Sequence, residues 1–269
     1  MKRRNTNITI IVPYKLKQKY FVLFVILGVV LGGTLSPGEV KLPKEIEILL
    51  GKMEKSIRNK IVTIEYTRAE YWKKDGQPAS RLRRVKMVFS SSLNFVLDIK
   101  EMDFEGKKVS RHLVYTFDGK KLAVYRADKQ VYHIYPPGPA EAYWGLFLWT
   151  VYPPTVKHLE AGIKRVTKED PSTDIKMTLT KEKLGGKQAY LLMISSKSSG
   201  SKVIPMIEHK YWIDSKTLLP LKAVRIDDTW MEVYNVEKAT LRLAHSDGLF
   251  KFNPPKGARE AVTVEEVFE

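Results

Sequence analysis

Five histidines, His112, His133, His158, His209 and His245, are the first residues to test for metal or acid–base chemistry. Metal sites need ligands one helical turn apart or gathered in short Cys/His clusters. These histidines are scattered singly; His112, His133 and His209 fall in alternating, strand-like stretches, which makes them structural or surface side chains. The acidic neighbours Asp227-Asp228 and Glu169-Asp170 lie in turn-like stretches and read as solvated turn residues rather than paired general acids. Ser195-Ser196 and Ser198-Ser199 sit in SSKSSGSK, which reads as a flexible hairpin loop with no G-x-S-x-G elbow around it. No cysteine is present, which removes thiolate ligands, disulfides, cysteine nucleophiles and an N-terminal lipobox. Phosphate loops and dinucleotide fingerprints are missing as well. The sequence therefore predicts a non-catalytic protein with no cofactor and no metal.

What must be positioned is instead apolar. With 43% hydrophobic and 28% charged residues the chain has the composition of a folded protein. Its first residues carry Lys2, Arg3, Arg4, Lys15, Lys17 and Lys19 and no acid, and run into the uncharged YFVLFVILGVVLGGTL of residues 20–35. A basic flank, an apolar run and then small residues form the pattern of a secretory signal. The run is short of the ~20 residues a spanning helix prefers, so residues 1–38 read as a signal peptide or a membrane anchor. Either way residues 39–269 are expected outside the cytoplasmic membrane, in a periplasm or on the membrane's outer face. Taking the six N-terminal bases from the formal net charge of +16 leaves +10. In an exported protein that charge suits an anionic membrane surface better than nucleic acid. The basic stretch RLRRVK at 81–86 lacks interleaved aromatics, and reads as a solvated outer strand face.

The exported part opens on KLPKEIEILLGKMEKSIRNK, an amphipathic helix with Ile46, Leu49, Leu50, Met53 and Ile57 on one side. From residue 61 the period drops to two. Val62, Ile64 and Tyr66 share one face, then Val85, Met87 and Phe89, then Phe95 and Leu97. Tight turns at FDGKK (117–121) and ADKQ (127–130) join further strands, about six before residue 136. Five more follow from residue 172, and SDGLFKFNPPKGAREAV reads as a last short strand ending at Pro254-Pro255. A meander of about eleven strands in one antiparallel sheet must curl. Only the helix near 44–58 and the segment 139–152 are available to cover its apolar face. Such a shortage of cover points to an enclosed apolar cavity.

That segment lies within PPGPAEAYWGLFLWTVYPPT (136–155), with Trp144, Phe147, Leu148 and Trp149 fenced by prolines. Pro139 suits a first helical turn and Pro153-Pro154 ends one. It reads either as a core helix or as a lid over the cavity.

The C-terminal half, KYWIDSKTLLPLKAVRIDD followed by MEVYNVEKATLRLAHSDGLFKFNPPKGAREAV, resembles the bacterial lipoprotein carrier, or lipoprotein-sorting, superfamily of the LolA type. The matching residues are Trp212, Asp214, Thr217, Pro220, Asn235, Phe250, Phe252, Pro255 and Gly257. The resemblance covers roughly residues 44–260. It implies a mainly β fold with a few helices: an unclosed β-barrel of about eleven strands plugged by helices. It also implies a cavity that takes lipid or lipoprotein acyl chains, lined by Val62, Ile64, Tyr66, Val85, Met87, Phe89, Phe95 and Leu97 beneath the lid. The same superfamily includes envelope-stress sensors of the RseB type. An envelope module that binds another envelope protein is therefore the alternative, and an exported hydrolase a third.

Overall fold

A computed structural model describes residues 42–72, 82–90, 94–103, 105–135, 151–198, 207–243 and 248–269. They form one sheet of twelve strands that does not close on itself, in the order β12-β6-β5-β4-β3-β2-β1-β11-β10-β9-β8-β7. The first six strands are β1 (Lys60–Trp72), β2 (Arg83–Ser90), β3 (Phe95–Met102), β4 (Val109–Phe117), β5 (Leu122–Arg126) and β6 (Val131–Ile134). Then come β7 (Thr173–Leu184), β8 (Lys187–Ser198), β9 (Ile207–Asp214), β10 (Pro220–Ile226) and β11 (Trp230–Leu243). All eleven pair antiparallel, as the meander predicts. The short final strand does not precede the prolines as expected. It is β12 (Arg259–Glu260), beyond them, and it runs parallel to β6. Proline has no N–H for a ladder, so pairing starts only after Pro254-Pro255.

Two meanders, β1–β6 and β7–β11, join where β1 pairs β11 along its whole length. The chain leaves β6 near one edge and re-enters as β7 at the other.

Helix α1 (Lys44–Ile57) forms where the sequence places it. Glu45 and Glu47 stand in its first turn and Lys55 in its last, each favourable to the helix dipole. Asn59, at φ +57°, turns the chain left-handed into β1. Ile46, Leu49, Leu50, Met53 and Ile57 are buried against the sheet, each contributing about 1.5–3 kcal/mol.

A helix over residues 156–169 is not among the elements the sequence predicts. Residues Val156–Glu169 form α2, capped by Thr155, whose Oγ1 accepts the His158 N–H at 3.2 Å. Glu54 of α1 accepts the Val156 N–H at 2.9 Å and ties the two helices together. Leu159 and Ile163, four residues apart, are buried in the core. The sheet's inner face thus has more cover than the sequence reading allowed. A third helix, α3 (Glu265–Phe268), is one turn long and buries Val267.

On the outer face a small cluster joins Ile61 and Val88 to Phe250 from the C-terminal tail. Phe252 packs against the rings of Tyr125 and Tyr132 at 6.4 and 5.4 Å.

Candidate functional site

The register of the central strands sets the inner face in transverse rows. Phe89, Val62 and Leu241 lie in line across β2, β1 and β11; Met87, Ile64 and Ala239 form the next row, and Val85, Tyr66 and Val236 the one after. The eight strand residues expected to line a cavity are brought together in one cluster. All eight are sealed: Val62, Ile64 and Phe89 are 0% exposed, and Tyr66 and Val85, the most open, are at 5%. They share this core with Ile46, Leu50 and Met53 of α1 and with Val151 and Tyr152. The Tyr152 ring stands edge-on to Phe89 at 5.4 Å. Trp144, Phe147, Leu148 and Trp149, the predicted lid residues, lie outside the described residues, as does the N-terminal segment 1–38.

Cover is thinner on β7 and β8. Ile175, Met177 and Leu179 of β7 and Ile194 of β8 face the same interior but are only half-buried. They form an apolar strip continuous with the sealed core, beside the unpaired edge of the sheet.

Two residues further along the inner face, the side chains change from apolar to charged. Arg68 follows Tyr66 on β1, Arg83 precedes Val85 on β2, and Tyr234 precedes Val236 on β11. Glu70, Glu232 and Arg225 form the adjoining row, with His209 opposite Arg225. Arg68 Nη2 donates to Glu232 Oε1 at 2.6 Å and to Glu70 Oε1 at 3.0 Å. Arg83 donates from Nη1 to Glu70 and from Nε to Glu101, both at 3.0 Å. The Tyr234 hydroxyl donates to Glu232 Oε2, and Arg225 Nη1 stands 3.9 Å from that oxygen. This belt separates the sealed core from the open end of β1, where Trp72 is 43% exposed.

Electrostatics hold the belt charged. Burial opposes ionisation of Glu232, but Arg68, Arg225 and the two hydrogen bonds it accepts keep its carboxyl below the usual range. Burial works against the Arg68 charge too, and Tyr234, Glu232 and Glu70 outweigh it. His209 behaves oppositely. Burial, then the facing Arg225, lower it to about 4, so the ring is neutral at pH 7. It stacks on Tyr211 with ring centroids 6.0 Å apart. A half-buried neutral histidine must take up a proton when the chain unfolds below pH 6.5. Stability should therefore be full above that value and fall as pH drops toward 4, by about 3 kcal/mol in the limit. Urea unfolding of wild type and His209→Gln at pH 7.5 and pH 4.5 tests this. The variant should lose less stability over that interval; equal losses would remove His209 as the cause.

The acidic turn residues Asp227 and Asp170 are buried rather than solvated. Asp227 Oδ1 accepts the Thr229 and Trp230 N–H groups, and Asp170 Oδ1 that of Ser172, as turn carboxylates do. His112 pairs with Asp98 at 2.8 Å. Among the resemblance residues, Asp214 Oδ1 caps its turn through Lys216 N and Thr217 N, at 2.8 and 3.0 Å. Gly257 sits at φ +85°, where a side chain would be strained. Two further expectations fail. Ser195 and Ser196 are not in a loop but in β8, opposite Glu208 and Ile207. RLRRVK is not wholly an outer face either: Arg84 and Lys86 point away from the core, whereas Arg83 points inward. The belt was missed, although one signal marked it. On β1, β2 and β3 the alternating apolar series, continued in phase, ends on Arg68, Arg83 and Glu101.

Among the described residues no cluster of His, Asp or Glu could hold a metal, and no helix is long and apolar enough to cross a membrane. No family model and no curated protein matches the chain. Solved structures do. MucB is 13% identical over 81% of this chain, with a TM-score of 0.43, and this chain spans 65% of MucB's length. The Pseudomonas aeruginosa MucA/MucB complex is similar at 11% identity and a TM-score of 0.38, over 78% of this chain and 61% of that one. A putative outer membrane lipoprotein-sorting protein domain from Vibrio parahaemolyticus is 10% identical, with a TM-score of 0.31, over 77% of this chain and 96% of its own. The likeness is one of fold outline.

Proposed function

We propose that the protein is an extracytoplasmic, non-catalytic carrier that binds and transfers acyl chains of lipids or lipoproteins. The observation that carries this reading is the half-covered strip of Ile175, Met177, Leu179 and Ile194. It opens the core to one side of a sheet that is not closed. Each methylene laid against such a strip is worth about 0.8 kcal/mol, so a chain is held without any reactive group. The basic flank and apolar run at residues 2–35 support export, and the turn and tail residues resembling lipoprotein-sorting proteins support the ligand class.

Native mass spectrometry of the full chain, purified in mild detergent, tests the reading. Protein carrying lipid-sized adducts is the expected result. Met177→Asp with Leu179→Asp should lower lipid occupancy by about tenfold or more, since charges on the strip oppose an apolar ligand. The melting temperature should fall by only a few degrees, because both positions are already partly exposed. A mass free of lipid, or adducts indifferent to both substitutions, would sink the carrier reading. A stoichiometric envelope protein found in the lipid's place would establish the sensor alternative.

A further inference from the structure

The belt is more than a structural network, because its hydrogen bonding is incomplete. The Nε–H groups of Arg68 and Arg225 are buried and meet no acceptor among the described residues. Among the described residues Arg225 makes only a long ion pair, 3.9 Å from Glu232, and keeps a quarter of its side chain open to solvent. A guanidinium offers five N–H donors, and folded proteins rarely leave buried ones unused. The carboxylates beside them are already engaged. Glu232 accepts from Arg68 and Tyr234, and Glu70 from Arg68 and Arg83. No carboxylate of the belt reaches these two Nε–H groups, which leaves them open to an acceptor from outside this set.

The same rows continue to the apolar strip. His209 lies opposite Arg225, Ile194 opposite His209, and Met177 opposite Ile194. Three strand spacings, roughly 14 Å, separate Arg225 from Met177 across the sheet. Anion donors at one end and an apolar strip at the other match a ligand with an acidic head and a hydrocarbon tail.

We infer that Arg225 and Arg68 seat the phosphate of an anionic phospholipid whose acyl chain lies over Ile194, Met177 and Leu179. The inference rests on the carrier reading and narrows its ligand. Arg225 contributes the forked, charge-assisted hydrogen bonds that suit a phosphate. Arg68, held by Glu232 and Glu70 through Nη2, contributes its remaining donors.

Stripped full-length protein, incubated with vesicles of phosphatidylcholine or of phosphatidylcholine mixed with phosphatidylglycerol of the same acyl chains, provides the test. Lipid retained per protein is read by native mass spectrometry. Wild type should retain phosphatidylglycerol over phosphatidylcholine by about tenfold. Arg225→Gln should remove most of that preference, and Arg225→Lys, which keeps the charge but loses the fork, should restore part of it. The wild-type comparison stands even if a variant fails to fold. Equal retention of the two lipids overturns the headgroup seat while leaving acyl binding intact, as does a preference that Arg225→Gln leaves unchanged. Retention of neither removes the carrier reading and this inference together. Inorganic phosphate alone should not raise the melting temperature. An Arg225-dependent rise with phosphate, with no preference for the anionic lipid, assigns the site to a free anion and overturns the lipid seat.

Discussion

Replacing Phe89 with alanine is expected to lower the free energy of unfolding by about 3–5 kcal/mol, measured by urea denaturation. Phe89 is fully buried, lies in line with Val62 on β1 and Phe95 on β3, and packs edge-on against Tyr152. Its neighbours come from two strands and the stretch before α2, and they cannot all collapse into the space it leaves. Met177→Ala should cost less, about 1 kcal/mol, because that side chain is partly exposed before it is shortened. The contrast bears on function. If Phe89 lined a space normally open to a ligand, its truncation would resemble that of Met177. A loss near 1 kcal/mol for Phe89→Ala would move the ligand site from the β7–β8 strip to the centre of the sheet.

Arg68→Met should be nearly as damaging, at about 3 kcal/mol, because it strips Glu232 of its main counter-charge. The Glu232 side chain is 5% exposed and cannot recover its hydration. Arg225, 3.9 Å away, remains and sets the loss near the low end of the range for a broken buried pair. Combining Arg68→Met with Glu232→Gln should recover part of the loss, since the orphaned charge goes too. The double-mutant cycle measures that coupling. Losses that simply add would show that the two side chains do not act as a pair.

The parts of the fold that were legible are those where one face of an element is uniformly apolar. Ile46, Leu49, Leu50, Met53 and Ile57 announced α1, and the in-phase series through Val62, Met87 and Leu97 announced one face of a meander. Helix α2 was overlooked although Val156, Leu159, Ile163 and Val166 follow helical spacing, because charged residues surround them and a proline pair stands just before. The belt was illegible for a different reason. Alternation records which side of a strand a residue occupies, but a charge on an apolar side looks like the end of the strand until its partners are known. Glu232 and Arg68 lie 164 positions apart in the chain, and only the β1–β11 register brings them together. The resemblance to lipoprotein-sorting proteins rested on turn residues such as Asp214 and Gly257, which shape loops away from the inner face.

That β1–β11 pairing also sets the order of events during synthesis. Strand β1 can pair with β2 at once, but its other edge waits until β11 has been made. At about 5–20 residues per second, the stretch from Trp72 to Trp230 takes roughly 10–30 s to emerge. Throughout that interval an edge carrying Ile61, Val62 and Ile64 has unpaired backbone groups and no partner strand. The N-terminal meander is thus a half-sheet with an adhesive margin for tens of seconds. Whatever guards the nascent chain must keep hold of β1 until the C-terminal meander arrives.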